Sequence, residues 1–330
     1  MSWRHAAVGR RAGRIYWEPV HAPNTSAIVV AARPVRWSGR TLGGRWLFTT
    51  CARLLPVVGA TGARIGSYLI AAGFMATGGR TQYGSLAYWR HLRPHAGVLV
   101  HALLVLRHFA SFGRILCDRF LATQRPADFT FTHRNPHVLR AAVTSGRGCI
   151  LLAAHVGNWE LSGLRLKKLV RGTLHLVMVR GDDPVLQRAV DERMRGEGVA
   201  VIDPLDPLGA SLAIHAALGK GETVCMLGDR LIGAQPMASA TFLGAPANFP
   251  LGPFHTAAIT GVPILVCFLV KVGARHYRVE VDDPWFIPLA PRGPARQRVL
   301  QAAVETWAAR LERQVRRFPL QWHNFYDFWK

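Results

Sequence analysis

The feature that most constrains this chain is a change of texture at Arg147-Gly148, after which short apolar runs alternate with helical periods. Cys149–Ala154, Leu174–Val179, Val199–Ile202, Thr223–Leu227 and Ile264–Val270 have the length and composition of buried strands. Pro184–Gly196 and Leu208–Leu218 carry helical periods between them, and a late strand over Tyr277–Asp282 precedes a long helix near Ala295–Phe318. Strands separated by helices pair through crossovers rather than tight hairpins. The pattern therefore predicts an α/β fold, a largely parallel sheet covered by helices. Residues 231–270 contain no Asp, Glu, Lys or Arg, yet five prolines, from Pro236 to Pro263, forbid one continuous helix there. That stretch reads as buried loops and strand.

Upstream the pattern is helical from Trp37 to about Leu121, broken at Gly59, Gly62, Gly78-Gly79 and Arg93-Pro94. Residues 1–36 form an Arg-rich arm without periodicity. The expected organisation is a basic arm (1–36), a helical, membrane-associating subdomain (37–147) and a catalytic α/β region (148–330), the last two integrated into one domain.

The formal net charge of +22 is concentrated N-terminally: residues 1–150 hold 20 Arg against only Glu18, Asp118 and Asp128. Such asymmetry calls for a partner with an anionic face, a membrane surface or nucleic acid. No RNP-like aromatic strand, zinc framework or basic helix is present, so nucleic acid is not the expected partner. The uncharged stretches Ile65–Gly79 and Pro94–Leu106, bounded by Arg64, Arg80 and Arg107, fall short of the roughly 18–20 residues of a spanning helix. The apolar run Ala27–Ala32 is likewise too short for a signal-peptide core. An apolar, basic chain of this kind fits a monotopic membrane enzyme, since each Arg near an anionic leaflet contributes about 1 kcal/mol. The five cysteines form no CxxC and read as small buried hydrophobes. No metal site or cofactor is expected.

The most informative local string is His155-Val156-Gly157-Asn158-Trp159-Glu160, directly after the strand Cys149–Ala154. Loops leaving the carboxyl ends of strands in an open α/β sheet hold catalytic groups over a crevice. On a helix, residues five apart lie roughly 140° apart around the axis, so His155 and Glu160 meet only if the chain turns between them. Gly157 supplies a residue able to make that turn. A carboxylate on one ring nitrogen fixes the imidazole tautomer and leaves the other to take a proton, which makes a general base. No Ser or Cys stands in a Gly-x-Ser-x-Gly elbow, so direct attack by an acceptor is favoured over an acyl-enzyme. Structural roles for both residues, satisfying buried polar groups at a strand end, remain open at this point.

The string from Ala154 to Glu160 resembles the His-x4-Glu motif of bacterial lipid A late acyltransferases, a branch of the lysophospholipid acyltransferase superfamily. Further similarities follow in order: Val179-Arg180, Asp191–Gly196 with Arg193 and Arg195, Gly228-Asp229-Arg230, and Thr241-Phe242-Leu243-Gly244. Leu243 departs from the usual second Phe, and Arg230 stands where many members carry Gln. The resemblance implies transfer of a fatty acyl group from a thioester, on acyl carrier protein or CoA, to a hydroxyl or amine of a lipid A-like or other glycolipid acceptor. It implies His155 as base, Glu160 as its orienting group, and Arg180, Arg230 or backbone N–H groups as oxyanion donors. Asp229 is expected to hold an Arg or the acceptor head group. Gly157, Asn158, Trp159, Arg193, Arg195, Arg230, Phe242 and Gly244 are the expected substrate contacts, with Phe242 and Phe249 lining an acyl groove. The cytoplasmic face of a bacterial inner membrane is the implied location.

Three other readings stay in view. The aromatic string Trp322–Trp329 resembles a branch found with pigment or polyene-type lipid pathways, or is a tail packed on the core. An α/β glycosyltransferase or esterase is a second alternative, although neither Asp-x-Asp nor Gly-x-Ser-x-Gly is present. A basic protein that merely binds nucleic acid or another anionic surface is the third.

Overall fold

The computed structural model describes residues 79–330 except 160, 162–165, 168, 171, 180–195, 197, 233–234 and 330, together with Val29-Val30 and most of 62–76. The expected arm over 1–36 and helix over 184–196 therefore lie essentially outside the described residues. Along the chain run α1 (Arg80–Leu92), α2 (Val98–Gln124), β1 (Thr130–Arg134), α3 (Pro136–Thr144), β2 (Cys149–Ala153), β3 (Leu174–Val177), β4 (Val199–Ile202) and α4 (Pro207–Gly219). Then come β5 (Thr223–Leu227), β6 (Pro236–Phe242), β7 (Ala245–Pro250), α5 (Gly252–Thr260), β8 (Ile264–Lys271), β9 (His276–Val281) and α6 (Pro294–Arg317).

Seven strands make one sheet in the order β1-β9-β8-β2-β5-β3-β4. β8, β2, β5, β3 and β4 are parallel, while β9 and its parallel neighbour β1 run the other way. This is the expected α/β class. The continuous apolar run of β2 has a simple cause, because successive strand residues face opposite sides. Ile150, Leu152 and Ala154 enter one core cluster, and Cys149 and Leu151 enter the other. The first cluster also takes Tyr88 and Trp89 of α1, Phe109 of α2 and Trp307 and Leu311 of α6, so the early helices and the sheet share one apolar interior.

Three elements, β1, α3 and α5, had no clear sequence signal, and α5 is a helix where the charge-free stretch read as loops and strand. β1 is an edge strand paired only with β9, and its residues are exposed or half-exposed, so no apolar run marks it. The charge-free stretch contains the antiparallel hairpin β6–β7, to which Val29-Val30 adds a short strand, followed by α5. The expectation that no stretch reaches the length of a membrane span needs correction. Val98–Arg119 is long and apolar enough to cross a bilayer. Arg107 sits on its exposed face, so the charge does not interrupt the helix. The first turn is bare, with Val98 84% and Leu99 86% exposed, whereas His108, Phe109, Ala110 and Ile115 are buried against the rest of the protein. Cys149, Cys225 and Cys267 are free thiols, and burial pushes Cys149 up to about 11 and Cys267 to about 12.

Candidate active site

Strands β2 and β5 lie side by side and parallel, with Ala153 opposite Leu227. His155 and Asp229 each stand two residues beyond those partners, so the register of the sheet delivers them to the same height at its carboxyl edge. The Nδ1 atom of His155 lies 2.9 Å from Oδ1 of Asp229, and Oδ2 accepts the His155 backbone N–H at 2.9 Å and the Trp322 indole N–H at 3.0 Å. Asp229 is 1% exposed. Its burial favours the neutral acid, but the His155 ring and its hydrogen bond, Arg230 and the His155 amide outweigh that and hold the carboxyl below its ordinary value. Burial and the Arg230 charge lower the His155 pKa, against an opposing pull from Asp229. The ring is thus neutral near pH 7, with its proton on Nδ1. Nε2 has no partner among the described residues, and His155 forms part of the wall of a cavity of about 1040 Å³. That size is at the upper end for ligand sites, roughly 300–1,000 Å³.

The loop after β2 turns at Gly157, whose φ is +68°. Its N–H groups are all committed: His155 to Asp229, Val156 to the Ala154 carbonyl, Gly157 to the Gln321 carbonyl and Asn158 to the Leu269 carbonyl. None of these four is free to bind an oxyanion. Arg230 remains at the cavity wall. Its Nη2 donates to the His323 carbonyl at 2.9 Å, its guanidinium lies 5.8 Å from the Tyr326 ring centroid, and its buried Nε has no partner.

Gln321–Tyr326 brace this loop from the other side. Trp322 donates to Asp229, the His323 N–H donates to the His155 carbonyl at 2.8 Å, and the Tyr326 hydroxyl donates to the Asp229 carbonyl at 3.3 Å. Trp322 is fully buried among Tyr88, Phe242 and Phe328. The aromatic string at the C-terminus thus packs on the core and supports the site. Trp322, His323 and Tyr326 were not anticipated as site residues, although their density of aromatic and imidazole groups was visible in the sequence.

Comparison with known proteins decides the family. A family model described as bacterial lipid A biosynthesis acyltransferase matches residues 100–330. The chain belongs to that family. It is 25% identical over 199 residues to a phosphatidylinositol mannoside acyltransferase of Mycobacterium tuberculosis, covering 58% of this chain and 57% of that protein. The counterpart in Mycolicibacterium smegmatis is 23% identical over 192 residues, covering 58% and 60%. The chain therefore spans rather less than two thirds of the length of these curated relatives. A crystal structure of the 1-acyl-sn-glycerophosphate acyltransferase PlsC from Thermotoga maritima has a TM-score of 0.36 and 14% identity, covering 76% of this chain and 97% of that one.

Of the expected site residues, this member of the family brings His155, Gly157, Asn158, Trp159 and Arg230 to the cavity wall. Trp159 stands edge-on to His155, with ring centroids 5.9 Å apart. Asn158 is nonetheless spoken for, donating to the Ile115 carbonyl and the Tyr277 hydroxyl and accepting from the Leu161 N–H. Asp229, expected to hold an Arg or a head group, instead has its carboxylate on His155 and Trp322. Phe242 and Phe249 are 0% exposed and pack against Trp322 and Phe328, not along the cavity. Gly244 is in the turn of the β6–β7 hairpin, also away from it. Their hairpin faces its aromatic rings into the core, which is why a charge-free stretch need not be a groove. Glu160, Arg180, Arg193 and Arg195 lie outside the described residues. No group of three or more metal-ligating side chains occurs among the described residues.

Proposed function

We propose that this protein is an acyltransferase that moves a fatty acyl chain from a thioester to a hydroxyl or amine of a membrane lipid, with His155 as general base. One observation carries the reading: the imidazole of His155, held through Nδ1 on the buried Asp229 carboxylate and without a partner at Nε2 among the described residues, forms part of the wall of a large and mainly apolar cavity. The acceptor X–H gives its proton to Nε2 as its heteroatom attacks the thioester carbon. Collapse of the tetrahedral intermediate expels the thiolate, which regains the proton. General-base catalysis of this kind supplies roughly 10²–10⁴-fold. The oxyanion needs a donor besides, and since the loop amides are committed, Arg230 takes that role, with Arg180 of the family motif as its partner. One such donor is worth about 2.7–4 kcal/mol. Asp229 orients the imidazole and Glu160, in the resembling motif, supports it. The names of the relatives favour a glycosylated phospholipid or lipid A-like acceptor, and acyl carrier protein or CoA serves as carrier. The bare apolar start of α2 and the basic N-terminal half support work at the cytoplasmic face of a membrane.

His155→Ala is expected to lower kcat at least about 10²-fold. The fold should survive, because Asp229 keeps the residue-155 amide and the Trp322 indole as donors. Thiol release dependent on added lipid, together with circular dichroism, checks both parts; near-normal turnover removes the general base from the mechanism. The pH dependence follows from the same geometry. Only neutral His155 accepts a proton, and its pKa lies below the ordinary 6.5, so the acid limb of kcat/KM should fall below pH 6.5. Arg230→Gln removes a charge that disfavours the imidazolium, so it should move that limb to higher pH as well as slow the reaction. A limb that stays put or moves down contradicts the assignment.

A further inference from the structure

Helices α1 and α2 reach the dyad only through the C-terminal segment that braces it. From α1, the Tyr88 hydroxyl donates to the Pro319 carbonyl at 2.7 Å. From α2, the fully buried His108 has Nε2 at 2.8 Å from the Trp322 carbonyl and Nδ1 at 2.9 Å from the Ser85 hydroxyl of α1. A carbonyl only accepts, so Nε2 carries the ring proton and Nδ1 accepts from Ser85. The imidazole is therefore neutral, satisfied at both nitrogens, and ties one carbonyl to two helices. That carbonyl also accepts the Asn324 N–H at 2.8 Å, a bond within the segment itself, so His108 is the donor that joins it to α2. An apolar ring would pack among Tyr88, Trp89 and Phe325 without the cost of burying two polar nitrogens. What the imidazole adds is direction, because its hydrogen bond fixes where residue 322 stands.

Residue 322 is also where the segment meets the carboxylate. Asp229 accepts from the His155 ring, the His155 amide and the Trp322 indole, and of these three donors the indole alone lies outside residue 155. We infer that His108 is a positioning residue for the acyl-transfer site, setting the Trp322 indole on Asp229 and, through it, the imidazole of His155. An N–H on Oδ2 disperses the carboxylate charge. Its loss makes Asp229 a stronger partner for an imidazolium and so favours the protonated His155 ring. The other charged or titratable groups around that ring are Arg230 and His323, and they stay in place in every variant below. The inference rests on the acyl-transfer reading for its effect on turnover, whereas the titration of His155 is measured without any.

The test follows His155 by ¹⁵N-resolved titration, and lipid-dependent thiol release against pH, in the full-length protein. Trp322→Phe keeps an aromatic ring and removes the N–H. A hydrogen bond to a charged group is typically worth about tenfold or more in an equilibrium constant. The His155 midpoint and the acid limb of kcat/KM should thus rise by up to about one pH unit, and kcat should fall. His108→Phe should move both in the same direction by a smaller amount and displace the Trp322 indole resonance. Once the indole N–H is gone there is nothing left to position, so His108→Phe added to Trp322→Phe should move the midpoint no further. His108→Gln, whose amide nitrogen can stand where Nε2 does, should restore the wild-type midpoint, and His108→Asn, too short to reach the Trp322 carbonyl, should not. The Asn and Gln pair keeps the comparison intact if the Phe variant fails to fold. Equal midpoints in that pair, or a His108→Phe shift that simply adds to that of Trp322→Phe, reduce His108 to a packing residue and overturn the inference. A His155 midpoint that follows His108 in a protein without lipid-dependent thiol release sinks the proposed reaction and leaves the coupling standing; thiol release with a midpoint indifferent to His108 does the reverse.

Discussion

Asp229→Asn is expected to reduce kcat by about 10³–10⁴-fold while leaving the fold and the cavity in place, because it reverses the tautomer of His155. Oδ2 of Asp229 accepts two N–H groups, the His155 amide and the Trp322 indole. In the asparagine variant those donors keep the side-chain carbonyl oxygen where it is, so the amide nitrogen must take the place of Oδ1 beside His155 Nδ1. An amide NH₂ only donates. Nδ1 then has to accept, the ring proton moves to Nε2, and the atom at the cavity wall loses the lone pair that takes the acceptor's proton. ¹⁵N chemical shifts of the imidazole would show the exchanged tautomer directly, and steady-state rates the loss. Glu160→Gln should cost less than Asp229→Asn, since Asp229 already occupies Nδ1; the opposite order would assign the orienting role to Glu160 and reduce Asp229 to a structural acid.

Gly157→Ala should destabilise the protein by about 3 kcal/mol or more and abolish activity with it. Two costs combine at this position. The backbone is left-handed, φ +68°, which a Cβ disfavours by roughly 1–2 kcal/mol. The added carbon would also sit 2.0 Å from the Leu269 carbonyl oxygen and 3.1 Å from the Val270 Cα, backbone atoms of the interior strand β8 that cannot step aside. Gly146 separates the terms, since its φ is +70° but nothing lies within 4 Å of an added Cβ. Gly146→Ala should cost only the dihedral term. Denaturant midpoints for the two variants check the difference, and equal losses would show that the close approach of β8 contributes nothing.

How much of this was legible beforehand varies with the kind of signal. The parallel strands were plain because both faces of β2 are buried, so Cys149 to Ala153 is an uninterrupted apolar run that no exposed segment tolerates. The edge strand β1 was invisible for the opposite reason, its residues being mostly exposed. His155 and Gly157 were legible from their place just past a strand end. The partner of His155 at Nδ1 was not, because 74 residues separate it from Asp229 and only the register of β2 on β5 brings them level. Phe242 and Phe249 misled, since an apolar composition looks the same in a core as along a groove, and only the packing of the hairpin on Trp322 and Phe328 distinguishes the two.

Periodicity and local chemistry alone determined the α/β class, the strand that leads to His155 and the need for a turn directly after it, because these depend on residues adjacent in the chain. Tertiary structure decided which carboxylate meets the ring, which amides are already committed and where the cavity runs. Those are matters of strand order and of how the C-terminal aromatic segment folds back, and they depend on contacts between residues tens to hundreds of positions apart that no local pattern encodes.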